Sequence, residues 1–147
     1  MKNKIQYHSE DIKFSLSEQK KISAWIKNVV LLENNKIDHI NIIFCSDEYL
    51  LKKNIEYLNH DTYTDVITFD YSREKGILLG DIFISIGRVI ENSEKFKITF
   101  ISELCTVIIH GILHLLGYND TTTDEKSIMR KMEFKYTSLV LPHLQKL

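Results

Sequence analysis

The sequence predicts one α+β domain over residues 1–147, a small mixed sheet packed with about five helices. Three observations carry this expectation. Short runs rich in β-branched and aromatic residues, such as HINIIFC at 39–45, stand beside longer segments whose apolar residues recur at helical spacing. No repeat, low-complexity tract or Pro/Gly-rich linker divides the chain, and Pro142, the only proline, stands near the end. At 147 residues, with 44% hydrophobic and 27% charged, the chain has the size and composition of one globular domain with a real core.

The elements follow in order. Residues 5–14 look extended. Ser17 is the expected N-cap of a first helix carrying Ile22, Trp25, Ile26, Val29 and Val30 on one stripe. Residues 39–45 read as a strand. Ser46 or Asp47 then caps a second helix, expected to turn Leu50, Leu51, Asn54, Ile55 and Leu58 inward. Residues 65–71 (DVITFDY) and 79–85 (LGDIFIS) read as two more strands around a polar turn at 72–76. A helix at 86–96 precedes a longer one at 99–116, which stops at Gly117. Thr122 and Glu125 have capping-box spacing and open a last helix, expected to run to about Leu139.

Charge and composition exclude several classes. The formal net charge is -1, so nothing in the bulk composition attracts a polyanion, and any RNA contact must come from a local basic strip. The opening MKNKIQYHSE is too polar for a secretory signal, and no apolar run is long enough to span a bilayer. Cys45 and Cys105 lie far apart without CxxC spacing, so both are expected as buried thiols in a reducing cytoplasm.

The informative stretch is LCTVIIHGILHLLGYND at 104–120. His110 and His114 are four apart on a helix, so their rings leave the same face about one turn from each other. That helix is apolar nearly all round and should be buried. Two buried imidazoles each need a polar partner, and two protonated ones repel. One shared metal ion answers both demands, since neutral imidazole is a good zinc ligand. Gly117 ends the helix and lets the chain turn back, which can bring the Asp120 carboxylate to a third position. A bare HxxxH is more often structural; its setting here, with a helix stop and a following carboxylate, points to a metal. Three protein ligands leave a position for water, the arrangement of catalytic rather than structural zinc. Gly111 occupies the place where the HExxH of metalloproteases has its general base, which disfavours a peptidase.

HGILHLLGY resembles the signature of the YbeY family, H-G-x-L-H-L-x-G-Y-D-H. TDVITF at 64–69 is similar to the family's T-D-V-L-S-F, and LLGDIFIS at 78–85 to its L-G-D-I-x-I-S. Met129 and Glu133 also fall where the family's last helix has Met and Glu. The resemblance implies a cytoplasmic, zinc-dependent endoribonuclease that cuts single-stranded RNA in ribosomal RNA maturation, with the ribosome or its proteins as partners and no part for DNA. Carried over residue by residue, it implies metal ligation by His110 and His114, with Asp120 in the place of the third family histidine. Carboxylate is an acceptable zinc ligand, and the two-histidine, one-carboxylate set also admits other divalent ions. The family arginine that precedes T-D-V falls on Leu58 here; the nearby cations Lys52, Lys53 and His60 read as solvated side chains.

Two other readings stand beside this one. A ribosome-assembly module in which the metal only holds the fold would be favoured by a fourth protein ligand, and catalysis by an open position. A non-haem iron oxygenase would share the ligand set but lacks an HxD pairing here. Among remaining residues, Glu103 falls two turns before His110, either as a carboxylate orienting a histidine or as a first-turn acid favoured by the helix dipole. Asp65 and Asp81 read as turn or strand-end residues that could approach the site. Tyr118 is placed to line a cleft, and His8, His39, His60 and His143 read as surface residues.

Overall fold

The computed structural model describes residues 3–144. The elements run β1 (Lys4–Ser9), α1 (Gln19–Leu32), β2 (Lys36–Cys45), α2 (Asp47–Leu58), β3 (Val66–Asp70), β4 (Ile77–Ser85), α3 (Ile86–Phe96), α4 (Phe100–Leu115) and α5 (Thr123–Thr137), with a 3-10 turn at Leu141–His143. The sheet order is β1-β2-β4-β3. β1, β2 and β4 are parallel and β3 is antiparallel to β4, so the sheet is mixed, as expected.

Alternation along the strands divides the apolar residues between two faces. Ile40, Ile42 and Phe44 of β2, with Ile82 and Ile84 of β4, meet Ile22, Ile26 and Val29 of α1 and Leu104, Ile108 and Ile112 of α4 in the main core. Ile43, Cys45, Ile67 and Phe83 point the other way and form a smaller cluster with Leu50 of α2. α4 is apolar nearly all round and is enclosed, burying Cys105; Cys45 and Cys105 are both free thiols. No single helix among the described residues is long and apolar enough to cross a membrane, and α3 meets α4 at a bend of 120°.

Four local expectations change. β1 stops at Ser9: Glu10 N–H still bonds the Phe44 carbonyl at 2.8 Å, then Asp11 takes a positive φ and leads the chain out of the sheet. Glu18 rather than Ser17 caps α1, in a left-handed conformation with no side-chain cap bond. α2 buries Leu50 and Asn54, whereas Ile55 is 43% and Leu58 42% exposed, because the cluster beneath this helix is small. α5 ends at Thr137 with Ser138 as its cap, not at about Leu139. Ser46 caps α2 by accepting from Tyr49 N–H, settling the choice between Ser46 and Asp47.

Candidate metal centre

α4 delivers the two histidines, and its ending delivers the carboxylate. Thr99 opens the helix by accepting from Ser102 N–H at 3.1 Å. Gly117 closes it with φ +106, a conformation a side chain would strain. Gly117 N–H bonds the His114 carbonyl and Tyr118 N–H the Leu113 carbonyl, both at 3.0 Å, the two bonds of a Schellman ending. The chain folds back, and Asp120 Oδ2 arrives 3.2 Å from His110 Nε2 and 3.5 Å from His114 Nε2. The two Nε2 atoms are themselves 3.0 Å apart. Ligand atoms around a tetrahedral zinc lie roughly 3.3 Å from one another, given metal–nitrogen bonds of about 2.0–2.1 Å. His110, His114 and Asp120, all half-buried, therefore fit a single small cation.

A fourth residue sets the chemistry of the first. His110 Nδ1 faces Glu133 Oε2 of α5 at 2.6 Å. A carboxylate accepts only, so Nδ1 carries a proton, and in the neutral ring the lone pair is left on Nε2, which faces Asp120 and His114. Glu133, not Glu103, is thus the carboxylate that orients a histidine. Its helix is anchored by the expected capping box: Thr122 Oγ1 accepts from Glu125 N–H at 3.1 Å, and Glu125 Oε1 accepts from Thr122 N–H at 2.9 Å. Burial lowers the His110 pKa, but the Glu133 hydrogen bond and the charges of Glu133, Asp120 and Asp65 outweigh it, and the net shift is upward. A metal ion binding at Nε2 would compete with a proton there.

Two cavities border the cluster. One, of about 320 Å³, is lined by Asp65, Glu103, His110, Asp120, Arg130 and Glu133 among others. The second, of about 390 Å³, shares Asp65, His110 and Asp120 and reaches His114 and Leu58. Asp65 precedes β3 and borders both; burial raises its carboxyl pKa, which nearby His110 partly offsets. Glu103 is 6% exposed, and burial, then the charges of Asp65 and Glu133, push its pKa up to about 7.

Some expected residues fall elsewhere. Asp81 lies on the opposite sheet face, accepting from Asn41 Nδ2 at 3.0 Å. Tyr118 donates to Glu33 at 2.7 Å instead of lining either cavity. His8, His60 and His143 are exposed, whereas His39 is half-buried; His8 and His39 both bond Asn41. Leu58 does border the site, so the position resembling the family arginine is next to the cluster and apolar. Residue reading gave Glu133 no role because its partner is 23 positions away on another helix; only its place in the family pattern marked it.

Together these features define a small α+β protein with a two-histidine, one-carboxylate cluster opening on cavities at the end of a buried helix. The chain belongs to the YbeY family: the family model described as "Endoribonuclease YbeY" matches residues 4–140. Curated relatives named endoribonuclease YbeY include one from Amoebophilus asiaticus, 52% identical over 92% of this chain and 92% of its own length. Another, from Cytophaga hutchinsonii, is 47% identical over 92% of this chain and 94% of its own. A solution structure of a Thermotoga maritima protein is similar with a TM-score of 0.67 and 29% identity, covering 95% of this chain and 90% of that one.

Proposed function

We propose that this chain is a metal-dependent endoribonuclease that cuts single-stranded RNA during ribosomal RNA maturation in the cytoplasm, with ribosomal particles as its setting. Family membership supports the reaction class. The observation that carries the metal is the triangle of candidate donor atoms with edges of 3.0, 3.2 and 3.5 Å, together with a Glu133 contact that frees the His110 lone pair. Zinc suits this donor set best, and one ion per chain is expected. When bound, such an ion supplies Lewis acidity and a water of lowered pKa next to the scissile phosphate. His110, His114 and Asp120 hold it, and Glu133 keeps His110 in the ligating tautomer. Asp65 and Glu103, whose carboxyl pKa values are raised, are the groups able to accept a proton near the reaction. A group of three protein donors opening on a cavity favours catalysis over a purely structural metal.

Gly111 argues against peptide hydrolysis in a way that sequence alone does not convey. A Cβ there would stand 2.8 Å from Ile82 Cγ2, so α4 has no room for a glutamate at that position. The test is direct. Metal-loaded protein is offered a single-stranded RNA, the matching duplex and an unfolded polypeptide. Cleavage of the single strand alone is expected, abolished in His114→Ala. Proteolysis that His114→Ala abolishes, with the RNA intact, would reverse the assignment.

A further inference from the structure

We infer that Arg130, with Lys126 one turn before it on α5, is the phosphate-binding cation of this site and holds the backbone of the RNA strand beside His110 and Asp120. The inference rests on the endoribonuclease reading above and supplies what that reading lacks. Asp65, Glu103, Asp120 and Glu133 line one cavity, and a phosphodiester approaching four carboxylates needs fixed positive charge besides the metal. The position resembling the family arginine cannot provide it, since it is Leu58. The cavity Leu58 borders has no lysine or arginine among its lining residues.

The adjoining cavity does. Lys126 and Arg130 both line it, four residues apart and therefore on one helical face. That face is turned to the centre: Glu133, three residues beyond Arg130, is bonded to His110, and Met129 beside it is buried. A cation on a helix is most often a solvated side chain. Two features separate this pair from that ordinary case. Both border the cavity that His110 and Asp120 share, and neither makes an ion pair or a side-chain hydrogen bond among the described residues, despite the carboxylates around them. Their charge is uncommitted. Two other cations of the fold are engaged instead: Arg88 is held by Asp47 at 2.6 Å, and Lys53 lies over the Tyr49, Tyr57 and Phe83 rings on the opposite face. A guanidinium can grip a phosphate through two parallel N–H donors, while the Lys126 ammonium adds a point charge.

The test is equilibrium binding of a short 2′-O-methylated single-stranded RNA to the metal-loaded protein across a salt series, with the RNA checked for integrity on a gel. Each phosphate contact contributes roughly 0.7 to the slope of log affinity against log salt on a single strand. The Lys126→Gln/Arg130→Gln variant should flatten that slope by about 1.4 and weaken binding on the order of tenfold per contact. Arg130→Lys should recover the slope while binding less tightly than the parent, and Lys131→Gln, on an exposed position of the same helix, should match the parent. Both Lys126 and Arg130 are exposed, so the variants keep the fold. A double variant that binds with the parent's slope overturns this inference and leaves the endoribonuclease reading intact. A parent protein with no affinity for the single strand overturns both.

Discussion

His110 is the residue on which the proposed metal site turns, because one of its nitrogens is committed to Glu133 and the other faces Asp120 and His114. Glu133→Gln should lower metal affinity by roughly 10–100-fold without unfolding the protein, which calorimetric metal titration would read. Asp120 makes a sharper prediction. Asp120→Ala leaves two histidines and should abolish stoichiometric binding, Asp120→His should restore it, and Asn119→Ala should bind like the parent. Glu103 supplies a pH dependence. Its folded pKa of about 7 lies above the ordinary carboxyl value, so the folded state holds the proton more tightly than the unfolded chain. Stability of the metal-stripped protein therefore falls as pH rises from the ordinary carboxyl range toward about 7. Glu103→Gln removes that loss. Its melting temperature relative to the parent should climb between about pH 5 and about pH 8, and a constant difference would contradict the assignment. At this scale the sequence disclosed what lay close together in it. His110, His114 and Asp120 share one helix and its turn, whereas Glu133, Arg130 and Asp65 reach the site from elements whose packing no spacing encodes.

Two elements hold these residues in place. α4 was legible from its continuous apolar character, its cap and Gly117, because each is a local property. Its closeness to β4 was not legible: Gly111 lies flat on Ile82, and Gly111→Ala should cost about 1–3 kcal/mol by overpacking, measured by denaturant unfolding. α5 was legible from the Thr122/Glu125 box. Thr122→Ala should cost about 1 kcal/mol and loosen the helix that carries Glu133 and Arg130. α2 shows where periodicity misleads. Its apolar stripe predicted Ile55 and Leu58 inside, but the outer sheet face offers that helix only a small cluster, and both side chains stay partly in water. Likewise β1 ends sooner than its residue types suggest, because residues 11–14 keep extended-looking types after the chain has left its partner strand.

Across the whole molecule, α1, α3 and α4 pack on one face of the sheet, with α5 laid against α4, and α2 packs on the other face. The centre opens where the end of α4, the start of β3 and one face of α5 converge. That convergence joins residues 58, 65, 103, 110, 120 and 133 around two cavities, one of which Lys126 and Arg130 also line. On the function proposed for this chain, one metal ion held by His110, His114 and Asp120 drives cleavage of single-stranded RNA. The most direct measurement strips the protein of metal with a chelator and follows the cleavage rate as zinc is titrated back. Activity should vanish on stripping, return in proportion to added zinc and level off near one equivalent per chain. Undiminished cleavage by the metal-free protein would contradict it.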